Sequence, residues 1–251
     1  MKRFVRFIQL LQEFTLLVRD VLRSFAFVFR YLGESIEEMY LIGAQSVPLV
    51  AIGGLFMGII LSLEVGHRFE TFGAKTLVGR TVALGMIREL GPVVSGLLLA
   101  ARVGAKNASE LGSMKLSEQI DALRAFGSNP IHTLVLPRTV ACLVMFLPLV
   151  LIADASGLFG GLIVAQSSLD IDPSFFWKTA INGLQMKDIF VGCVKPIIFG
   201  FFIATISCFY GLRTSGGTTG LGRSTIDAVV SSSLVVLLLD FIFTKVVWEI
   251  M

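Results

Sequence analysis

Leu41-Ile-Gly-Ala-Gln-Ser-Val-Pro-Leu-Val-Ala-Ile-Gly-Gly-Leu-Phe-Met-Gly-Ile-Ile-Leu-Ser-Leu63 contains no charged residue. At about 1.5 Å of rise per residue, a helix of this length crosses a hydrocarbon core of about 30 Å. Four further stretches have the same character. Residues 81–101 hold Arg88 and Glu89, residues 139–166 hold Asp154, residues 189–210 hold Lys195, and residues 228–247 hold Asp240 and end near Lys245. The whole chain agrees, with 55% hydrophobic residues, 16% charged residues and a mean hydropathy of +0.83. An ordinary soluble domain carries about 25% charge. The expectation is an all-α integral membrane protein with five transmembrane helices in a domain over residues 36–251. The third stretch is over-long, about 42 Å as a helix. It is expected to tilt, or to break near Gly157, Gly160 and Gly161.

Residues 1–35 read differently. Phe4, Phe7, Ile8, Leu11, Phe14, Val18, Leu22 and Phe25 recur at three- and four-residue spacing, with Lys2, Arg6, Gln9, Glu13, Arg19, Asp20 and Arg23 opposite. A Phe/Leu face against a basic polar face predicts an amphipathic helix lying in the headgroup plane. The segment has no continuous apolar core and no small-residue cleavage site, so it does not read as a cleavable signal peptide.

Lys and Arg set the orientation. With the amino terminus inside, the cytoplasmic side holds Lys2, Arg3, Arg6, Arg19, Arg23, Arg30, Arg102, Lys106, Lys115, Arg124, Arg138, Arg213 and Arg223, against Arg68, Lys75, Arg80, Lys178 and Lys187 outside. This bias predicts a cytoplasmic amino terminus and a carboxyl terminus on the outer side, which the resemblance given below makes periplasmic. The net charge of +3 reflects that distribution and gives no reason to expect nucleic acid as a partner.

The longest polar connection, residues 102–138, is then cytoplasmic. Asn107-Ala-Ser-Glu110 has capping-box spacing, so a helix is predicted over about 107–126, ended by Gly127 and Asn129-Pro130. Leu116, Ile120 and Leu123 mark its apolar face, with Glu110, Glu118, Asp121 and Arg124 elsewhere. It is either a solvated loop helix or one that docks in a partner's groove.

The charges within the spans are the informative residues, because each costs at least ~2.5–3.5 kcal/mol at the bilayer centre. Counting from the flanking Arg80 and Lys187 puts Glu89 and Lys195 about 12–14 Å below the outer interface. Asp240 falls at about the same level, and Asp154 nearer the midplane. Arg88, Glu89, Lys195 and Asp240 are candidate cavity residues. They either neutralise one another structurally or form a polar wall that meets a lipid headgroup.

Catalytic chemistry finds little support. Phe72-Gly-Ala-Lys-Thr76 lacks the Gly before Lys and the earlier Gly of a phosphate loop. Ser215-Gly-Gly-Thr-Thr-Gly-Leu-Gly-Arg-Ser-Thr225 reads as a flexible loop, with Ser224 and Thr225 starting the fifth span. Cys142, Cys193 and Cys208 lie in apolar runs without a CxxC pair, and His67 and His132 are far apart. No catalytic residue, metal site or cofactor is expected.

One resemblance gathers these features. Arg88-Glu-Leu-Gly-Pro-Val-Val94, Ala100-Ala-Arg-Val-Gly-Ala105, Ser109-Glu-Leu-Gly112, Glu118-Gln-Ile-Asp-Ala-Leu123, Phe126-Gly-Ser-Asn-Pro130 and Leu136-Pro-Arg138 form a long block. Gly217-Thr-Thr-Gly-Leu-Gly222, Ser232-Ser-Leu234 and Leu239-Asp-Phe241 follow it. From about Gly53 to the carboxyl end this resembles the MlaE (YrbE) permeases, relatives of the chloroplast lipid-import permease. The resemblance implies the permease subunit of an ABC transporter for phospholipid or a similar lipid in the bacterial inner membrane. It implies a homodimer, a separate ATPase on the cytoplasmic side and a periplasmic ring of MCE-domain proteins. In some such systems a STAS-like cytoplasmic subunit is also present. It assigns Arg88, Glu89 and Lys195 to the lipid cavity, and the helix at about 107–126 to ATPase coupling. Asp154 matches no acidic residue shared by the family.

Two other classes stand against this reading. An ion-coupled secondary transporter would use the same buried charges, but would bring an internal repeat of spans that five unequal spans do not offer. A membrane-embedded enzyme would need an activated nucleophile or metal motif, and none is visible.

Overall fold

The computed structural model describes the backbone of residues 2–250 and the side chains of residues 8–247 and 249. The expected positions of Lys2, Phe4, Arg6 and Phe7 on the faces of the first helix lie outside the described side chains. No strand occurs among the described residues. In chain order the helices are α1 (Lys2–Ser24), α2 (Leu32–Gly43), α3 (Val47–Thr71), α4 (Val78–Gly85), α5 (Gly91–Leu116), α6 (Gln119–Ala125), α7 (Leu136–Leu169), α8 (Pro173–Gly183), α9 (Met186–Leu212) and α10 (Gly217–Ile250). A 3-10 helix over Phe25–Tyr31 separates α1 from α2. Five segments are long and apolar enough to span a membrane: Val47–Thr71, Lys75–Leu116, Ile131–Leu169, Met186–Leu212 and Gly217–Val247.

The helices form two compact units. One comprises Met1–Ala44, Ala100–Val144 and Gly200–Val236. Its core packs Val21, Leu111, Val135 and Cys208 with Leu17, Phe25, Met114 and Phe201. The first helix contributes the stripe Phe14, Leu17, Val21 and Ser24, and the 3-10 helix after it adds Phe25. Phe14 meets Phe209 edge to face, and Glu13 pairs with Arg213 at 2.6 Å. Ile8, Leu11 and Leu22 stay exposed on the same helix.

The same unit holds an ion network that the sequence did not suggest. Glu38 on α2 accepts from Lys106 at 2.7 Å and lies 3.3 Å from Arg138. Glu110 takes the other side, 3.0 Å from Arg138 and 3.4 Å from Lys106. Two cations and two carboxylates thus cancel, which makes their shared burial tolerable.

The expected capping box at Asn107 is not a helix start. Asn107 is fully buried in the middle of α5, with Nδ2 donating to Ser207 Oγ at 3.3 Å. Its neighbours Val103, Ala108 and Leu111 are buried as well, and packing holds the helix together through Leu116. The chain turns at Glu118, a left-handed residue with φ of 59°. The short helix α6 follows. It ends as expected at Gly127 (φ 76°), where the amide N–H groups of Gly127 and Ser128 return to Arg124 O and Leu123 O, each at 3.0 Å.

The predicted loop at 215–225 is also shorter than expected. The left-handed glycines Gly216 and Gly217 make the turn, and α10 begins at once. Thr225 lies inside that helix, its hydroxyl donating to Leu221 O at 2.9 Å.

The second unit comprises Gln45–Leu99, Met145–Phe199 and Leu237–Met251. Its core packs Val78, Val82, Met86, Ala165, Leu169 and Phe176, with Met57, Leu61 and Leu162 against them. Here α7 does not break at its glycines. A Cβ on Gly58 would overlap the Gly157 carbonyl, and one on Gly160 would overlap that of Leu55. The glycines let α3 and α7 approach backbone to backbone, a small-residue packing of membrane helices. Ser62 Oγ donates to Gly161 O at 3.0 Å within this contact.

The structure adds α8, a helix that the span pattern does not predict. Asp172 caps it, accepting from Phe175 N at 3.0 Å and from the Ser174 hydroxyl, and Pro173 occupies the first helical position. These bonds, the one from Ser174 first, hold the Asp172 carboxyl below its ordinary range.

The α3–α7 contact is open to test. Gly58→Val forces a branched side chain into a backbone contact and should cost about 1–3 kcal/mol. The expected result is a lower melting temperature for the detergent-solubilised protein. Gly33→Val, at a position with nothing within 4 Å of a Cβ, is the matched control. Equal melting of the two variants would refute the tight-contact account.

Candidate functional site

The site starts with a proline. Pro92 has no N–H, so the carbonyl of Arg88, four residues earlier, cannot receive the usual helical bond from it. The backbone widens into a π-helical turn over Met86–Leu90, in which the Gly91 N–H returns to Met86 O. From the other side, α9 comes close to this turn at Gly192, where a Cβ would sit 2.5 Å from Ile87 O. Lys195 lies one turn further along α9. Its ammonium donates to Arg88 O at 3.0 Å, capturing a carbonyl of the widened turn.

The rest of the Lys195 shell comes from three side chains, one on the π turn and two on α10. Glu89 Oε2 accepts at 2.6 Å, Asp240 Oδ1 at 2.8 Å and Thr244 Oγ1 at 3.0 Å. Asp240 and Thr244 are one turn apart on α10 and share a face. The Thr244 hydroxyl donates in turn to Glu89 Oε2 at 3.1 Å. Three ammonium protons therefore serve four acceptors, and Lys195 has no exposed surface. Glu89 and Asp240 each keep an exposed edge.

Arg88 extends the cluster. Its Nη1 donates to Asp188 Oδ1 at 3.3 Å, and its Nε lies 3.7 Å from Glu89 Oε1. Asp188 is itself fixed by the Gln185 N–H at 3.0 Å, at the start of α9. With every group ionised, Arg88 and Lys195 face three carboxylates, a balance of −1. A shell of carboxylates and hydrogen-bond acceptors around it is what lets an ammonium remain buried in a spanning segment.

The structure thus brings together all four candidate cavity residues, Arg88, Glu89, Lys195 and Asp240. It adds Asp188 and Thr244, which the sequence reading missed. Thr244 was within reach, being i+4 from Asp240. Asp188 carried no signal, because it looks like an ordinary first-turn acid. Asp154 is not in the cluster. It is buried against Gly91, and its Oδ1 has no hydrogen-bond partner among the described residues.

The second candidate surface needs a correction. Ile120, placed on a partner-facing side by the sequence reading, is fully buried within its own chain. Leu116 and Leu123 are half-buried beside it on that inner stripe. The apolar face thus stabilises the fold, and the outward face carries Glu118, Asp121, Arg124 and Phe126, the last 85% exposed. Lys115 bonds Asp121 at 2.7 Å, and this first, with Arg124 adding to it, holds the Asp121 carboxyl below its usual range. Glu110 is not on the short helix at all. It lies on α5 and is spent on Arg138 and Lys106.

Comparison with known proteins adds the following. A family model described as Permease MlaE matches residues 35–246. A probable ABC transporter permease of Rickettsia felis is 36% identical over 249 residues, covering 99% of this chain and 96% of that protein. A probable ABC transporter permease of Synechocystis is 35% identical over 216 residues, covering 86% and 82%. The intermembrane phospholipid transport system permease of Haemophilus influenzae is 34% identical over 214 residues, covering 85% and 82%.

The cluster makes a quantitative claim on stability. Lys195→Met leaves Glu89 and Asp240 facing each other without their cation, and should cost about 3–5 kcal/mol. Adding Glu89→Gln and Asp240→Asn to Lys195→Met should recover most of that loss. Thermal melting in detergent checks both, and a Lys195→Met protein as stable as the parent would contradict the description of this shell.

Proposed function

The chain belongs to the MlaE permease family, and from that membership we propose that it is the membrane subunit of an ATP-driven transporter of phospholipid. The observation that carries the proposal is its likeness, over most of both chains, to the Haemophilus influenzae phospholipid transport permease. A separate ATPase supplies the energy from the cytoplasmic side. A periplasmic MCE-protein ring exchanges lipid with a homodimer of this chain, in the inner membrane of a bacterial envelope. Residues 36–251 are the permease domain. Residues 1–35 lie at the membrane interface, which suits the exposed Ile8, Leu11 and Leu22 on α1.

Within this reading, the Lys195 cluster lines the lipid path. Lys195 is saturated and buried, so it positions the carboxylates and does not itself meet a headgroup. The exposed edges of Arg88 and Glu89 do that. The outward face of α6, with Asp121 and Phe126, meets the ATPase. Reconstituted liposomes test the cavity role. Glu89→Ala with Lys195→Ala should remain folded and lose at least about tenfold in ATP-dependent lipid transfer. Full transfer by this double variant would leave the cluster purely structural. Transfer driven by an ion gradient without ATP would instead favour a secondary transporter.

The α6 surface and the orientation yield separate tests. Phe126→Asp should insert normally yet copurify with about tenfold less ATPase. Ile120→Asp should lower the melting temperature, because it buries a carboxylate. Undiminished ATPase copurification with Phe126→Asp would exclude the outward face as the docking surface. In a background lacking the three native cysteines, Phe72→Cys should react with an impermeant thiol reagent in spheroplasts and Ser117→Cys should not. The opposite pattern would invert the topology.

A further inference from the structure

The second unit also contains a cationic hollow with no acidic residue among its lining side chains. It lies between α8 and the segment that leads into α4, with a volume of about 300 Å³. Thr76, Arg80, Phe175, Lys178, Thr179 and Asn182 line it. No acidic residue contributes. The sequence has none from Thr71 to Arg88, and none from Pro173 to Lys187. Nearby Lys75 is already occupied, by Glu70 at 2.9 Å and Leu169 O at 3.3 Å. Arg80 and Lys178 make no ion pair among the described residues, which sets them apart from Lys75, Arg88 and Lys195. Two cations thus share one concave surface, and no carboxylate among the described residues pairs with either.

The hollow is shaped by packing. Arg80 lies across the end of α8 at Gly183, where a Cβ would come within 2.9 Å of Arg80 Cβ. Glycine there lets the arginine stem lie flat on the helix. On α8, Phe176, Ala180 and Gly183 face inward, while Trp177 and Ile181 remain exposed. A short helix with one buried stripe, an exposed Trp and Ile, and a lysine between them suits the boundary between acyl chains and headgroups. At that boundary the anion in reach of Arg80 and Lys178 is a lipid phosphate.

We propose that the hollow between α4 and α8 binds the phosphodiester of a glycerophospholipid through Arg80 and Lys178. The arginine fork suits phosphate oxygens, the lysine adds a point charge, and the Asn182 amide and Thr76 hydroxyl offer further donors. Trp177 and Ile181 accompany the glycerol and upper acyl region. No residue of this hollow belongs to the Lys195 cluster, so it is a separate headgroup site. The proposal rests on phospholipid being the cargo, and it adds a place where that cargo is held.

The test uses the purified full-length protein, with native mass spectrometry as the readout. Phosphatidylglycerol and a diacylglycerol of the same acyl chains are the probes, each with and without millimolar inorganic phosphate. The parent protein should retain phosphatidylglycerol and not diacylglycerol, and inorganic phosphate should not displace it. Arg80→Gln with Lys178→Gln should weaken retention about tenfold at unchanged melting temperature. Each single variant should show part of the loss, which keeps the comparison usable if the double variant folds poorly. Undiminished retention by the variants, equal retention of diacylglycerol, or displacement by inorganic phosphate would each overturn the site. Lipid transfer by the parent protein, measured in parallel, separates the two ideas. If transfer is intact and retention is unchanged by the variants, only this site falls. If the parent transfers no lipid, it is the transport reading that fails.

Discussion

A lysine with no exposed surface, in a segment apolar enough to span a membrane, constrains everything near it. The Lys195 ammonium stays charged there only if carboxylates and carbonyls replace its water shell. It obtains them from the π turn before α5 and from α10, while itself riding on α9. Three elements distant in sequence are thereby held in one register. The bonds also restrict what the lysine can do. A group that already serves four acceptors has nothing left for a ligand, so recognition falls to the neighbours it orients.

A second device supports the first. Each compact unit contains a π-helical turn that ends just before a proline: Met86–Leu90 before Gly91-Pro92, and Ile131–Val135 before Leu136-Pro137. In both, a cationic side chain takes up a carbonyl of the widened turn. Lys195 binds Arg88 O, and Arg138 binds Leu134 O at 2.9 Å. Proline removes a donor and the helix widens; in the first turn the carbonyl that Pro92 leaves without its usual donor, Arg88 O, becomes a ligand for the buried cation. Tolerating helix irregularity in a spanning segment depends on such re-satisfaction.

Much of this was legible before the structure. Hydropathy showed five spans, and counting residues from the interfaces put Glu89, Lys195 and Asp240 at one level, where they do meet. Depth is readable because helical rise is constant. Facing is not, which is why Asp154 could be placed by depth and yet lies apart from the cluster. The short helix shows a different limit. The Leu116, Ile120 and Leu123 stripe was correctly apolar, but an apolar stripe does not say whether its own chain or another covers it. The helix α8 has a good start signal in Asp172-Pro173-Ser174, but its 11 residues are too few to register in a hydropathy pattern that marks spans.

The amino-acid sequence by itself determined the class, the number of spans and the identity of the charges that had to be neutralised. Those follow from transfer free energies and helix geometry, which are local properties of the chain. Only the tertiary structure decided which carboxylates face Lys195, that Glu38 and Glu110 are spent on Arg138 and Lys106, and that Ile120 points inward. It also decided that Arg80 and Lys178 line one hollow. Those outcomes depend on how the helices rotate about their axes and where glycines let backbones touch. Rotation and contact belong to pairs of helices, and no single segment encodes them.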